Sequence, residues 1–266
     1  MPTEEEKEAF WLQQIRVKSV LLNLENTLRE IVKRLHASNK IDGPSESTKS
    51  NKEKYSLLPR SGQDNLNVTV TLQDENVIQT DVNLKYAKSA VGYYRATANP
   101  DIQWKLTQIQ DASNQCVRAL EILLKGMKKY ETAMASENAS RANVETLILT
   151  ILNSVKENVK QARSSLTLPK RKSLVELCQF QPIKSFNPPL PHDILLSYYI
   201  ASAKLVCAAY QVVPKSNGVQ TVTIYQAECR LPQIVEVVHY LNTAFSIAHD
   251  FLANYCMLKK PSINAA

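Results

Sequence analysis

Glycine is scarce in this sequence: 5 glycines occur among 266 residues, and no two of them are neighbours. Nucleotide-binding loops use clustered glycines because the backbone must approach phosphate oxygens closely, and the chain contains neither a Walker-type nor a Rossmann-type cluster. Low glycine content is also typical of helix-rich proteins, because glycine destabilises helix interiors. We therefore expect a helix-rich protein without a nucleotide-binding loop.

Histidine and paired cysteine are scarce as well. The 4 histidines form no His-Glu-x-x-His motif, the 5 cysteines form no Cys-x-x-Cys pair, and no Gly-x-Ser-x-Gly elbow occurs. We therefore expect no catalytic residue, no cofactor and no metal. An odd number of cysteines with apolar neighbours is typical of reduced, buried thiols in a cytosolic protein.

The distribution of charge weighs against nucleic acid and against secretion. The net charge of +7 permits an acidic partner or an anionic membrane surface, although a basic soluble protein needs neither. A zipper transcription factor carries a basic helix before its heptads, whereas here Glu4, Glu5, Glu6 and Glu8 would repel phosphates. The same acidic start differs from a signal peptide. We expect a chain that binds no nucleic acid.

Four segments have apolar residues at alternating intervals of three and four residues, which is the pattern of helices packed along one another. They cover about 4–37, 99–130 (with Asn99 as cap and Pro100 in the first turn), 144–166 and 232–258. The predicted bundle core is Leu21, Leu24, Leu28, Ile31, Leu106, Ile109, Leu120, Leu123, Ile148, Val155, Val238, Leu241, Phe245 and Leu252.

The apolar stretch 193–213 is interpreted as a further helix that ends before Pro214. It contains the one candidate membrane span, Ile194 to Val213, but Lys204 and several Ala, Ser and Tyr residues favour a buried bundle helix. We therefore expect no transmembrane span.

A different period marks the strands. Alternating apolar residues in 66–73 and 78–86, separated by the turn 74–76, predict a β-hairpin. Residues 55–58 and 93–97 are candidate further strands, and 219–227 is predicted as another. Because a lone hairpin is marginal in water, it should join a larger sheet.

These patterns predict an α+β protein that is mainly α. Its elongated antiparallel bundle has about four long helices, and a small β-sheet domain lies at one end. The predicted bundle takes residues 1–50, 99–168, 192–213 and 230–266, and the predicted sheet domain takes 51–98, 169–191 and 214–229. The basic run 170–172 fits a nuclear-import or phosphate contact, or simply a solvated loop.

Two blocks, 71–74 with 79–85 and 103–112, resemble the Rogdi leucine-zipper family. The resemblance continues in 186–193 and nearby positions, including Tyr199, Lys204 and Tyr210, and covers nearly the whole chain. It implies a bundle that pairs the N-terminal and C-terminal helices antiparallel, with a sheet domain beside it.

The resemblance also implies a non-catalytic scaffold or adaptor subunit of a RAVE or rabconnectin-type complex. Such a complex promotes assembly of the vacuolar-type proton-pumping ATPase, and so acidifies organelles or synaptic vesicles. The implied partners are a large WD-repeat rabconnectin-type protein and peripheral-sector subunits of the pump. The implied location is cytoplasmic, on endosomal or synaptic vesicle membranes through those partners, or at the nuclear envelope.

Two other interpretations stay open: a trafficking adaptor of endosomal or synaptic vesicles independent of the pump, and a nuclear leucine-zipper protein. Within the second predicted strand, Asp81, Asn83 and Lys85 alternate with buried positions. We hypothesise that these three residues form a partner-binding surface or a polar junction between sheet and bundle, although a solvated face would show the same alternation.

Overall fold

The computed structural model describes residues 16–35, 52–60, 65–98, 103–136, 141–214 and 220–258. The chain divides into two compact units. The helical unit consists of Met1–Leu35, Ala112–Ser164 and Glu236–Ala266, and the sheet unit consists of His36–Asp111 and Ser165–Val235.

The described helices and strands follow one another in blocks along the chain. Their order is α1 (Val17–Leu35), β1 (Lys52–Pro59), β2 (Leu66–Gln73), β3 (Asn76–Lys85), β4 (Tyr93–Ala98), β5 (Trp104–Lys105), α2 (Thr107–Ala135), α3 (Arg141–Thr167), α4 (Leu174–Gln179), α5 (Gln181–Lys184), β6 (Phe186–Asn187), β7 (Ile194–Ala201), β8 (Lys204–Pro214), β9 (Gln220–Arg230) and α6 (Pro232–Leu258).

The helical unit is held by apolar stripes on α1, α2, α3 and α6. Leu24, Leu28 and Ile31 of α1 have no exposed surface, which reflects their heptad spacing. The C-terminal end of α1 contacts the start of α6, since Arg34 pairs with Glu236. At its other end, Val17 lines one small pocket with Tyr255 of α6. Helices α1 and α6 therefore run antiparallel, as the family resemblance implied.

Helices α2 and α3 approach closely at a glycine. A Cβ atom added to Gly126 would lie 2.6 Å from the side chain of Ile151, which is closer than carbon atoms pack. A larger residue at position 126 would therefore force the Ile151 side chain to shift, and no turn at this position calls for glycine.

Most of the predicted core residues are buried in the structure. Leu120, Val238 and Phe245 are half-buried, because they lie at the border of their helix stripes. Leu106 and Ile109 are buried in the sheet unit and not in the helical unit. The other nine are Leu21, Leu24, Leu28, Ile31, Leu123, Ile148, Val155, Leu241 and Leu252, and all of them are buried in the helical unit.

The sheet unit contains one antiparallel sheet in which β5 pairs with β3 beside the main strand order β6-β4-β3-β2-β1-β9-β8-β7. The sheet curls on itself, because the Thr80 hydroxyl of β3 lies 2.6 Å from the Tyr198 hydroxyl of β7, far away in strand order. Of the described residues, 53% are helical and 31% are in strands. The prediction of a mainly helical bundle with a small sheet is therefore wrong.

The largest error concerns residues 193–213, which form the hairpin β7–β8 and not a helix. Every residue from Ile194 to Ile200 is buried, so neither face of β7 shows an alternation with polar residues. The hairpin turn uses Ser202 and Ala203 at positive φ (50° and 58°), whereas glycine or asparagine would have signalled such a turn.

Other local predictions fared better. The β2–β3 hairpin is confirmed, as are the strands predicted near residues 55, 93 and 220 and the helix over 144–166. The helix predicted over 99–130 begins only at Thr107, because Trp104 and Lys105 pair with β3 as a short strand. The proposed cap at Asn99 and Pro100, and the first helix before residue 16, lie outside the described residues.

Candidate interaction surface

The side of the curled sheet that faces away from its buried interior carries polar side chains on β3 and β4. We call this set the β3–β4 face; it consists of Gln79, Asp81, Asn83, Lys85, Tyr93, Arg95 and Thr97. The alternation of strand side chains explains the set, because the intervening residues, such as Val82 and Ala96, are buried.

The three residues named from the sequence lie together on this face but in different environments. Asp81 is half-buried, and its Oδ1 accepts a 2.8 Å hydrogen bond from the Thr97 hydroxyl across the strand pair. Lys85 is exposed beside Tyr93. Asn83 is half-buried, and its Oδ1 is fully buried with no hydrogen-bond partner among the described residues. The described part of the chain therefore leaves one buried acceptor of this face unsatisfied.

Two further residues of this face were missed from the sequence. Arg95 lies directly opposite Asn83 in the β3–β4 register, and Tyr93 lies opposite Lys85; both are exposed. The signal was present, because Tyr93, Arg95 and Thr97 alternate with buried or half-buried neighbours in a strand that the sequence had suggested. With Lys85 and Arg95 beside the single carboxylate of Asp81, the face is net positive.

Three other residues of the family-like blocks, Trp104, Gln108 and Asp193, are buried in the sheet unit. The buried side chain of Gln108 accepts from the backbone N–H of Ile200 on the edge strand β7 at 2.8 Å. Its Nε2 lies 2.8 Å from each of the carbonyl oxygens of Ile200, Ser165 and Leu168. The amide thus takes the place of a neighbouring strand and caps the exposed edge of the sheet.

Trp104 secures the same strand two residues earlier. Its indole Nε1 donates a 3.1 Å hydrogen bond to the carbonyl oxygen of Tyr198, and its ring packs edge-on against Tyr198 and Phe180. Burial raises the pKa of Tyr198 well above its ordinary value, so the phenol stays protonated beside Thr80. Trp104 and Gln108 therefore have structural roles that explain their place in a family-like block.

Asp193 is a third anchor. It is buried, yet it accepts 2.8 Å hydrogen bonds from the Tyr86 hydroxyl and from Lys88 Nζ. Burial by itself raises the pKa of this carboxyl, but the hydrogen bonds from Lys88 and Tyr86 outweigh burial and leave the pKa below its ordinary value. Burial and the hydrogen bond to Asp193 raise the pKa of Tyr86. The carboxylate therefore joins the loop after β3 to the start of β7 as an ion.

Each residue of the basic run is engaged within the sheet unit. Lys170 pairs with Asp111 at 2.9 Å, Arg171 lies over the ring of Tyr199, and Lys172 lies over the ring of Phe180. These contacts are weak because their charged groups lie near solvent. The run is therefore neither a free cationic loop nor a rigid part of the core.

We looked for a metal-binding cluster and for a membrane-spanning helix among the described residues. Among the described residues, no three His, Cys, Asp or Glu side chains are grouped so that they could bind a metal ion. None of the described helices combines the length and apolar character required to cross a bilayer.

The described structure is an α+β protein with a helical unit packed through apolar stripes and a sheet unit that carries polar side chains on the outward face of two of its strands. A family model for the Rogdi leucine zipper containing protein matches residues 8–250, and the chain belongs to this family. Protein rogdi homolog of Caenorhabditis elegans is 39% identical over 254 residues, which are 93% of this chain and 86% of that protein.

More distant relatives carry the same name. Protein rogdi homolog of Danio rerio is 32% identical over 208 residues, which cover 78% of this chain and 67% of that protein. Protein rogdi of Drosophila melanogaster is 26% identical over 228 residues, covering 86% of this chain and 78% of that protein. The family predicted from the two sequence blocks is thereby confirmed, and the names of these relatives state no reaction.

Proposed function

We propose that this chain is a non-catalytic scaffold or adaptor subunit of a RAVE or rabconnectin-type complex, which promotes assembly of the vacuolar-type proton-pumping ATPase. Its direct partner is then a large WD-repeat protein of the rabconnectin type. Through that protein it meets the peripheral sector of the pump on endosomal or synaptic vesicle membranes. The proposal rests on family membership and on the chemistry of the β3–β4 face.

The observation that carries the proposal is the buried Asn83 Oδ1 that lacks a hydrogen-bond partner among the described residues. An unsatisfied buried acceptor costs free energy in the isolated protein, and a partner that displaces the side chains covering this oxygen and supplies a donor would recover that cost on binding. Asn83 lies between two exposed cations, Lys85 on its own strand and Arg95 opposite, so an incoming acidic surface would also be attracted. The face thus suits a protein partner with both N–H donors and carboxylates.

The second argument is rigidity. The β3–β4 face belongs to strands that are paired on both sides: β3 pairs with β2 and β4, and the end of β4 pairs with β6. The opposite face of β3 is packed through Val82 and Leu84. A binding face held by packed strands loses little conformational entropy when its partner docks. A permanent subunit contact benefits from this arrangement.

The test is co-purification of partners with tagged full-length variants. We expect the triple variant Asp81→Ala, Asn83→Ala, Lys85→Ala to lose the large WD-repeat protein and the pump subunits while melting within a few degrees of the parent. The single variant Asn83→Val is sharper, because valine suits a strand and removes the unsatisfied acceptor, so binding should weaken while stability is kept or gained.

The matched control is Lys54→Ala with Ser56→Ala, which changes exposed polar residues on strand β1, separated from β3 by β2. It should leave partner recovery unchanged. Recovery of coat or tether subunits without pump subunits would overturn the proposal in favour of a trafficking adaptor, and recovery of nuclear proteins would favour a nuclear zipper protein. Undiminished recovery of the WD-repeat protein by the triple variant would reject the β3–β4 face as its binding site.

A further inference from the structure

The basic run of the sheet unit leads directly into an exposed serine. Lys170, Arg171 and Lys172 occupy the three positions before Ser173, and Leu174 follows it. Protein kinases select substrates largely by charge pattern around the acceptor residue, and one large class binds cationic side chains two and three positions before it in acidic subsites. The sequence 170–174 provides both cations and an apolar residue immediately after the serine.

The conformation of the segment also suits a kinase cleft. Residues 169–173 form neither helix nor strand, and Ser173 is exposed with extended backbone angles (φ −67°, ψ 157°). The three cations are held by the weak contacts with Asp111, Tyr199 and Phe180 described above, and the Lys170 side chain is 65% exposed. An incoming acidic surface can therefore compete for them without unfolding the sheet.

We propose that Ser173 is a phosphorylation site for a basic-directed serine kinase. The Ser173 oxygen attacks the γ-phosphorus of ATP, forming a new O–P bond while the bond from that phosphorus to the β,γ-bridging oxygen breaks and ADP leaves. The hydroxyl proton passes to the catalytic aspartate of the kinase and then to solvent. ATP with its magnesium ion and the kinase are the co-reactants.

The modification would act on a defined contact. Ser173 caps α4: its Oγ donates to Glu176 Oε2 at 2.8 Å, its backbone N–H donates to the same oxygen at 2.7 Å, and the Glu176 N–H donates to Ser173 Oγ at 3.2 Å. A phosphoester oxygen has no proton to donate, and the phosphate would place a second anion against the Glu176 carboxylate. The reciprocal cap therefore breaks, and Glu176 must move away.

A second serine provides an internal comparison. Ser165 also has an arginine, Arg163, two positions before it, although alanine stands at the third position where Ser173 has Lys170. Ser165 however lies in the helix α3 and is half-buried, which prevents the extended conformation that a kinase cleft requires. The structure therefore assigns Ser173 and rejects Ser165.

The experiment treats the folded full-length chain with the catalytic subunit of cyclic-AMP-dependent protein kinase, magnesium and ATP, and maps phosphate by mass spectrometry. We expect phosphate on Ser173, unchanged in Ser165→Ala and absent in Ser173→Asn. Asparagine is the matched control because it retains an N-cap acceptor for α4 without a hydroxyl. Arg171→Ala should lower kcat/KM for phosphorylation at least tenfold.

The structural consequence has its own measurement. Hydrogen bonds from the Ser173 backbone and side chain hold the pKa of Glu176 below its ordinary value. The phosphorylated protein should show a higher Glu176 pKa by NMR titration, since those bonds are replaced by a neighbouring anion. Phosphate on Ser165 in the folded chain, phosphate only after heat unfolding, or no incorporation at all would overturn the proposal.

Discussion

The two units bury different kinds of side chain. Of the buried polar or charged residues in the described ranges, Thr80, Gln108, Asp193 and Ser197 belong to the sheet unit, and Ser113 alone belongs to the helical unit. The helical unit is thus specified mainly by apolar stripes, whereas the sheet unit adds to its apolar core the buried polar contacts of Thr80, Gln108 and Asp193. Apolar packing tolerates substitution of similar volume, but a buried polar contact depends on one particular residue.

This contrast explains why the family-like blocks lie where they do. Trp104, Gln108 and Asp193 stand in the blocks 103–112 and 186–193, and each makes a contact that another residue type could not make. The apolar stripes of the helices do not depend on one particular residue type, because leucine, isoleucine or valine can fill a helix–helix contact of similar volume. Specific residues in a family-like block therefore indicate a structural role as readily as a binding role.

The largest expected effect lies in the helical unit. Leu241→Ala should lower the free energy of unfolding by about 2–5 kcal/mol, since Leu241 has no exposed surface and its removal leaves a cavity. Leu120→Ala should cost only about 1–2 kcal/mol, because its side chain is half-buried and loses a smaller transfer free energy. Urea unfolding of both variants measures the difference.

Equal losses of unfolding free energy for Leu120→Ala and Leu241→Ala would show that the buried fraction of a side chain does not determine its contribution to the stability of the helical unit. Hydrogen exchange sharpens the comparison between units. The faster-exchanging amides of Leu241→Ala should be concentrated in α1, α3 and α6, and the amides of β7 should be affected only through global unfolding.

The sequence predicted the helical unit better than the sheet unit, and the reason is visible in β7. Periodicity reveals an element when one face is buried and the other is wet, as in α1 or in the β2–β3 hairpin. Tyr199 and Tyr198 point to opposite faces of β7 and are both buried, so an apolar run of 20 residues looked like a helix. Its aromatic and β-branched content was the one local sign of a strand.

The candidate site was predictable only in part, for the same reason. Alternation placed Asp81, Asn83 and Lys85 on one face, but sequence could not show that Arg95 would lie opposite Asn83, because that depends on strand register. The edge contact of Gln108 with Ile200 spans 92 positions of chain and leaves no local pattern. Contacts of this kind follow only from the folded sheet.

The intermediate effect tests the edge of the sheet. Gln108→Leu keeps similar volume but leaves the buried Ile200 N–H without its partner, so the free energy of unfolding should fall by about 1–3 kcal/mol. The matched control is Gln110→Leu, an exposed residue on the same helix, which should change stability by less than about 0.5 kcal/mol. The amide of Ile200 should exchange faster in Gln108→Leu alone. Similar stabilities for the two variants would mean that the amide does not cap β7.

The smallest effect concerns Asp193, and the pH dependence of its contribution to stability appears only in acid. Its folded-state pKa lies below the unfolded value of about 3.9, so the folded protein binds fewer protons and the carboxylate stabilises it above that pH. This contribution should be lost progressively as the pH falls through 3.9 and on through the folded pKa. Because the Lys88 side chain is 59% exposed, solvent screens the ion pair and the effect is modest.

The measurement is urea unfolding between about pH 7 and pH 3 for the parent, Asp193→Asn and Tyr86→Phe. The stability difference between the parent and Asp193→Asn should be constant above about pH 5 and should shrink below about pH 4, because only the parent protonates this group. Tyr86→Phe removes one donor to the carboxylate, so its Asp193 pKa should rise and the loss should begin at a higher pH than in the parent. A difference that grows on acidification would mean that burial, and not the hydrogen bonds from Tyr86 and Lys88, determines the pKa of Asp193.

The helical unit provides the comparison for this measurement. Its interior has no buried carboxylate among the described residues, and Leu241→Ala should therefore destabilise the protein by the same amount across this pH range.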